Sequence, residues 1–210
     1  MKTAAMIIST LAVILLGSAS VVAQQMAGTP ASPEATTSNT GEQVRPVQID
    51  AKSFDCIRDM TLVRHFYMDN VLGNLDTTLA VANSATGGTY PAGTVIQVIP
   101  QEAMVKREKG LSPETHDWEF FALEVSKDGT KIRQRGFDKV VNSFGQCLGC
   151  HKQAGPQWDL VCEMGHGCAP IPTTREMFVY LQKKDPRCKP VKLSPVDIEA
   201  GKQLQELLKQ

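Results

Sequence analysis

The sequence predicts an α+β protein built on a predominantly antiparallel β-sheet with flanking helices. The strongest observation is residues 117–136, where an aromatic-rich strand, a turn over 127–129 and a second strand over 130–135 are typical of a β-hairpin. Residues 94–99 indicate a further strand, because a β-branched run follows a loop rich in Gly and Pro. Together these segments place an antiparallel sheet at the centre of the fold.

Two segments on either side of these strands have helix-compatible patterns. In residues 53–73 the apolar side chains are spaced in part like one face of a helix, and Gly73 would end it; they are Ile57, Met60, Val63 and Met68. Residues 137–145 are short and compatible with a helix that leads into a cysteine cluster. We therefore expect a helix before the sheet and a short one after it.

The C-terminal part of the chain carries two helix-start signals. Thr173 and Glu176 form a Thr-x-x-Glu cap before an apolar segment. Ser194 and Asp197 predict a second cap, followed by an amphipathic stretch. Its modest apolar stripe suits a helix docked on a surface or frayed from it, with partner binding as the alternative, and consists of Ile198, Leu204, Leu207 and Leu208.

The N-terminus has the pattern of an export signal. Residues 1–23 combine a positive charge at Lys2, an apolar run over 4–16 and a final V-V-A. A membrane anchor is the alternative, but the apolar run is shorter than the roughly 20 residues that a spanning helix needs. Residues 24–45 are poor in large apolar side chains and predict a flexible linker. The expected location is a bacterial periplasm.

Composition limits the classes of partner. The 210-residue chain has 22 basic and 22 acidic side chains, so it offers no basic field for nucleic acid. The expected partners are small molecules or other proteins. We divide the mature chain into a folded domain over 46–172 and a helical extension over 173–210.

The motif C-x-x-C-H at Cys147, Cys150 and His151 carries the chemistry. In such a motif the two thiols add to the vinyl groups of a haem, and the histidine becomes an axial ligand of the iron. Haem attachment takes place after export, in agreement with the N-terminal signal. The sequence therefore predicts one covalent haem c. A zinc site is the competing interpretation, in which Cys162 and Cys168 would complete four thiolate ligands.

Four further cysteines remain if the haem takes two. An oxidising compartment favours their pairing, and four cysteines allow three arrangements. Cys162 and Cys168 flank a short loop with two glycines, so we favour this disulfide and a second one between Cys56 and Cys188. Spacing along the chain does not fix either pairing.

A second axial ligand would turn the haem into an electron carrier. His166 attracts attention because it lies in the glycine loop between two cysteines, although an iron that is open on one side is the favoured expectation. The full set of candidates is His65, His116, His166, Met104 and Met164.

The order of three motifs resembles the cytochrome P-460 family, which shares its fold with the cytochromes c′-beta. The motifs are G-T-V at 93–95, D-W-x-F at 117–120, and C-x-x-C-H-K at 147–152 followed by Asp159. The match spans about residues 55–168. C-x-x-C-H occurs in many cytochromes, so the specificity lies in the ordered set.

The resemblance implies a mostly antiparallel β fold, one pentacoordinate c-type haem and a pocket for small nitrogen species. P-460 members oxidise hydroxylamine, whereas c′-beta members bind nitric oxide and related gases. We therefore consider an oxidoreductase that passes electrons to a soluble partner such as another cytochrome, a gas-binding or sensing protein without turnover, and an ordinary electron carrier. A homodimer is also considered.

The far side of the haem is where this sequence departs from the family. A lysine bonds to the haem edge in the P-460 branch, and the corresponding position here falls at or near Val98. Lys106 is the nearest lysine downstream, and we favour a solvated charge for it over a cross-link. Phe120 or Phe121 would wall the pocket, since they alternate across a strand. The polar candidates for this side are Glu102, Glu119 and Gln153.

Overall fold

The centre of the fold is a six-stranded antiparallel sheet in which every strand pairs with its neighbour in the sequence. The computed structural model describes residues 46–209. The predicted signal peptide and linker lie outside these residues. The expected α+β class with a mostly antiparallel sheet is confirmed. No helix in the described residues is long and apolar enough to cross a membrane.

Eight strands and four α-helices form the fold of residues 46–209. The strands of the sheet are β1 (Thr61–Val63), β2 (Phe66–Asn70), β3 (Thr94–Gln97), β4 (Glu102–Lys106), β5 (Trp118–Ser126) and β6 (Gly129–Gly136). A separate two-stranded ribbon consists of β7 (Val141–Asn142) and β8 (Gly145–Gln146). The helices are α1 (Leu75–Ala82), α2 (Cys147–His151), α3 (Arg175–Lys183) and α4 (Pro195–Leu207).

The β5–β6 hairpin has the turn that the sequence predicts. Ser126 pairs with Gly129 across a two-residue loop, and the Asp128 amide donates a hydrogen bond to the Ser126 hydroxyl at 3.2 Å. The strand predicted at residues 94–99 is confirmed as β3, although it ends at Gln97, two residues earlier than expected.

The helix expected over 53–73 is wrong. This segment contains two short 3₁₀ turns and then the hairpin β1–β2, in which Thr61 lies opposite Met68. Buried Phe66, Met68 and Asn70 alternate with more exposed neighbours, which is the period of a strand. Pairing of β2 with β3 buries these alternate side chains on one face of the sheet. A helix would not place alternate residues on the same face.

The short helix expected over 137–145 is also wrong. The chain there forms bends and the ribbon β7–β8, in which Val141 pairs with Gln146. The ribbon leads directly into α2, which begins at the residue after β8. The Cys147 amide donates a hydrogen bond to the Val140 carbonyl at 3.0 Å and so ties the start of α2 to the residue before the ribbon.

The sheet has two apolar faces with different contents. On one face Met68, Ile96, Met104 and Phe120 pack with Leu148 of α2. The opposite face packs against the N-terminal segment of the described chain, and its buried members include Val47, Phe54, Val95, Val105 and Phe121. Phe120 and Phe121 therefore lie on opposite faces, and only Phe120 is on the side of the C-x-x-C-H helix.

Gly93, the glycine of the G-T-V motif, lies at a position where a residue with a side chain would not fit. Its φ angle is +86°, and an added Cβ would lie 2.7 Å from the Asn70 side-chain oxygen. Its amide donates to the Lys106 carbonyl at 2.8 Å. Glycine is therefore required where the chain enters β3.

Residues 173–209 are fastened to the sheet. The Cys56–Cys188 disulfide joins this segment to the first 3₁₀ turns, and the Asp185 carboxylate accepts a hydrogen bond from the Ile57 amide at 3.0 Å. The Gln182 side chain donates to the Val98 carbonyl at 2.7 Å. Helices α3 and α4 pack on each other through a small cluster that includes Met177, Ala200 and Leu204.

The helix starts agree with the sequence except in one residue. Thr174, not Thr173, caps α3, because its hydroxyl accepts a hydrogen bond from the Met177 amide. Ser194 and Asp197 form the expected capping box of α4. The expected apolar stripe of α4 is only partly used, since Leu204 is buried whereas Ile198 and Leu208 are exposed.

Asp197 gives a pH-dependent prediction. Hydrogen bonds from the Lys183 ammonium and from Ser194 lower the pKa of Asp197 from the ordinary value of 3.8 to about 2. A lowered pKa contributes stability above the unfolded value and loses it as the pH falls through the folded value. Asp197→Asn should cost about 1–2 kcal/mol at pH 7.

This difference should shrink as the pH is lowered from about 4 to about 2. Urea denaturation of both proteins across that range measures it, with exposed Asp138→Asn as the control. A gap between wild type and variant that stays constant down to pH 2 would contradict the assignment.

Candidate functional site

A single turn of helix gathers the C-x-x-C-H residues. Helix α2 covers only Cys147–His151, and the spacing of i, i+3 and i+4 places the two thiols and the imidazole on neighbouring positions of one face. Leu148 is buried in the apolar cluster of the sheet and anchors the helix there. Lys152 and Gln153 continue the hydrogen-bonded turn through their backbone amides.

The cysteines divide into two groups. Cys56–Cys188 and Cys162–Cys168 are disulfides, as the sequence analysis favoured, while Cys147 and Cys150 are free thiols. Cys147 packs at the edge of the apolar cluster. Burial, with a smaller contribution from the Glu102 carboxylate, raises the pKa of Cys147 to about 11. The thiol is therefore protonated at neutral pH and is a poor thiolate nucleophile in this environment.

The His151 ring is fixed by its backbone partner. Its Nδ1–H donates to the Leu160 carbonyl at 2.7 Å, and this bond assigns the neutral tautomer in which Nε2 carries the lone pair. Burial lowers the pKa of His151, which favours the same neutral form. The Phe120 ring lies against the imidazole with 5.1 Å between ring centroids. A neutral imidazole with a held Nδ1 and an available Nε2 is the arrangement of a metal-ligating histidine.

The sheet face on this side mixes apolar and titratable groups. Strand register places Glu102 opposite Ala122, Met104 opposite Phe120, and Lys106 opposite Trp118. Among the sequence candidates, Phe120 and Glu102 share this face with α2. Burial raises the pKa of Glu102, against the effect of a hydrogen bond from Asn142. Glu102 is thus a partly buried carboxyl group close enough to Cys147 to affect its pKa.

The other polar candidates lie elsewhere. Glu119 is on the opposite face, where it forms ion pairs with Arg107 and with Arg135. Gln153 is exposed, and its side-chain oxygen accepts a hydrogen bond from the Ala169 amide at 2.9 Å. Neither contributes a side chain to the face beside α2.

The expectation that Lys106 is a solvated charge is wrong. The residue is 5% exposed, and its ammonium donates to the two Asp159 carboxylate oxygens at 2.7 and 2.8 Å and to the His116 carbonyl at 2.6 Å. It also lies 5.1 Å from the centroid of the Trp118 ring. The strand buries the side chain next to an acid that is distant in sequence, which spacing along β4 could not reveal. The amine is committed to Asp159.

Asp159 links this ion pair to His151 through the backbone. Its carboxylate also accepts the Tyr90 amide at 2.9 Å, and its carbonyl accepts the Trp118 indole N–H at 2.6 Å. Asp159 and Leu160 both have positive φ angles, +51° and +61°, which side chains rarely adopt. These contacts hold the strained pair in place and so orient the Leu160 carbonyl towards His151.

The three histidine candidates for a second axial ligand have other partners, and the two methionine candidates differ in burial. His166 stacks on Trp158 with 3.8 Å between centroids, and its Nδ1–H donates to the Val161 carbonyl at 2.8 Å. His116 contacts Asp159, and His65 stacks near Phe178. Met164 is 98% exposed. Met104 is buried in the apolar cluster on the α2 side of the sheet.

The zinc interpretation is contradicted by the cysteine pairing. A disulfide between Cys162 and Cys168 leaves no thiolates to join Cys147 and Cys150. Within residues 46–209 no group of three or more His, Cys, Asp or Glu side chains could hold a metal ion.

Sequence reasoning missed the contacts that hold His151 in place. The motif drew attention to Asp159 but not to its pairing with Lys106 or to the Leu160 carbonyl. A backbone acceptor leaves no mark in residue type, and positive φ angles at Asp and Leu have no reliable sequence signal. An Asp shortly after the motif was the one available indication.

Fold and site define an α+β protein whose antiparallel sheet carries a short helix with a free dithiol and a held imidazole. Comparisons with protein-family models, curated proteins and solved structures found no match.

Proposed function

We propose that the chain is an exported mono-haem c-type cytochrome that resembles the cytochrome P-460 type. Cys147 and Cys150 would hold the haem covalently, and His151 would ligate its iron. The observation that carries the proposal is the free thiols and the fixed imidazole of the C-x-x-C-H motif. Its two thiols are free while the other four cysteines are paired, and Leu160 holds His151 Nδ1 so that Nε2 is available.

When bound, the haem would supply an iron that binds or oxidises small nitrogen species such as hydroxylamine or nitric oxide. His151 would keep its ring orientation through the Leu160 carbonyl. Met104, Phe120 and Ala122 would exclude water from their side of the sheet. Glu102 would hold or accept a proton beside Cys147, because its burial favours the protonated form.

A gas-binding or sensing role without turnover is the second candidate. The predominance of apolar side chains on the sheet face beside α2 favours it, since an apolar wall sorts small neutral gases and needs no proton acceptor. Electron transfer with both axial positions filled gains no support from His65, His116 or His166, whose rings engage other groups.

Covalent haem attachment is the first test. The full chain, produced in a bacterium with the c-type haem attachment machinery, should gain the mass of one haem and give a haem c absorption spectrum. Cys147→Ser with Cys150→Ser should abolish both signals. The matched control is Cys162→Ser with Cys168→Ser, which also removes two cysteines but should retain the haem. A haem-free wild-type protein under these conditions would refute the proposal.

The second test separates enzyme from binder. Spectra of the reduced haem protein with and without carbon monoxide report whether the iron is open, and a spectrum indifferent to the gas would indicate an electron carrier. Hydroxylamine-dependent reduction of an electron acceptor then distinguishes the two remaining roles. Turnover supports the oxidoreductase, whereas tight nitric oxide binding without turnover supports the gas-binding protein.

A further inference from the structure

A cleft of about 310 Å³ opens beside the edge strand β1. It lies on the face of the sheet opposite to the face that packs against α2. Helix α3 and the segment that follows Cys188 form its other walls. Tyr67 in the cleft packs against the Cys56, Ile57 and Cys188 cluster. We call this feature the cationic cleft, and its lining is Arg58, Leu62, Arg64, His65, Tyr67, Arg175, Val179, Gln182, Lys183, Val191 and Lys192.

The lining carries five basic side chains of Arg or Lys and no carboxylate. Two of them have acidic partners from outside the lining, since Arg64 pairs with Glu163 and Lys183 pairs with Asp197 at 2.8 Å. The other three form no ion pair with any residue in 46–209, and they are Arg58, Arg175 and Lys192. The cleft therefore has an uncompensated positive charge that an anion would neutralise.

Donor groups in the cleft are also not fully used. The Arg58 guanidinium donates one N–H to the Lys189 carbonyl, while its buried Nε has no hydrogen-bond partner among the described residues. Tyr67 is half-buried and close enough to Arg58 and Lys183 for both charges to act on its hydroxyl group. A phenol O–H that lines a cleft together with basic side chains is a donor suited to an anionic oxygen.

Apolar side chains complete the site. Leu62, Val179 and Val191 contribute apolar surface between the basic groups, although Leu62 and Val191 are also exposed to solvent. The cleft volume is at the lower end of the range for small-molecule sites, so a compact ligand fits better than a nucleotide. Arginine pairs with carboxylate and phosphate oxygens through two parallel N–H groups.

We propose that the cationic cleft binds a small, multiply charged oxyanion, a phosphate or a polycarboxylate. Arg58, Tyr67 and Lys192 are its principal contacts, and Arg175 adds charge at the rim. The site is separate from α2 and does not depend on haem attachment.

Calorimetric titration of the full chain at low ionic strength tests the proposal, with inorganic pyrophosphate and citrate as probes. Saturable binding of either probe is expected, and the one that binds more tightly identifies the chemical source. Arg58→Gln with Lys192→Gln should weaken binding at least about tenfold. Lys127→Gln with Lys139→Gln is the matched control, because it removes two exposed positive charges elsewhere and should leave affinity unchanged.

Tyr67→Phe provides a second variant that removes only a hydroxyl group and should weaken binding by about threefold or more while the fold is retained. Thermal unfolding of each variant checks folding. The absence of saturable heat with both probes would overturn the proposal. Equal weakening in the control and cleft variants would also overturn it, because it would show a general effect of net charge.

Discussion

Asp159→Asn should destabilise the protein by about 3–5 kcal/mol, because it leaves the buried Lys106 ammonium without its carboxylate. Lys106 and Asp159 are both almost fully buried, and the ammonium contacts both carboxylate oxygens. The variant would also weaken the hold on the Tyr90 amide. Chemical denaturation at pH 7 measures the loss of unfolding free energy.

The direction of the pH dependence is a second readout. Burial already lowers the pKa of Lys106 from 10.5, and the contact with Asp159 opposes this. Without Asp159 the folded pKa would fall further below the unfolded value. A basic group with a lowered folded pKa is penalised below that pKa and relieved as the pH rises. The defect of the variant should therefore become smaller as the pH is raised towards 10.

Two controls isolate the buried charge. Lys106→Met combined with Asp159→Asn should recover at least half of the loss, since no unpaired ammonium remains. Glu199→Gln breaks an exposed ion pair with Lys202 and should cost less than about 1 kcal/mol. If Asp159→Asn lowers the free energy of unfolding no more than Glu199→Gln does, the buried Lys106–Asp159 pair does not stabilise the protein as predicted.

Cys56→Ala with Cys188→Ala should cost about 5 kcal/mol, as the chain-entropy treatment of a long closed loop gives. The disulfide joins residues 132 positions apart and so restricts most of the unfolded chain. Both cysteines are buried beside Ile57 and Tyr67, and their replacement would also remove one of the links that fasten residues 173–209 to the sheet. Denaturation with urea under non-reducing conditions measures the effect.

The second disulfide offers an internal comparison. Cys162 and Cys168 are only 6 positions apart, so Cys162→Ala with Cys168→Ala should cost about 2 kcal/mol by the same treatment. The long-loop variant should therefore be the less stable of the two. Equal losses would show that loop length does not determine the stabilisation in this protein.

The strands with strong local signals were predicted well. The β5–β6 hairpin has a glycine turn between aromatic and β-branched runs, and the strand at 94–97 follows Gly93, whose positive φ angle residues with a side chain rarely adopt. The region 53–73 failed because its apolar spacing fits a helix and a strand about equally. Pairing of β2 with β3, which is 24 or more residues further on, decided between them.

In the candidate site, too, some features follow from local sequence and others from contacts between distant residues. The proximity of Cys147, Cys150 and His151 follows from one helical turn, so the motif determined it locally. The partners of His151 and Lys106 come from residues 160 and 159, where the backbone has positive φ angles. Residue type at those positions does not encode the contact, and the sequence placed Lys106 in solvent.

By itself the sequence determined the α+β class, the hairpin, the caps of α4 and the thiols and imidazole that share one helical turn. These depend on periods and spacings within a few residues, where backbone geometry allows few alternatives. Only the tertiary structure decided the β1–β2 hairpin, the burial of Lys106 with Asp159 and the basic lining of the cationic cleft. Those features arise when segments far apart in the chain meet, and burial and charge pairing, which no local pattern specifies, stabilise the first two.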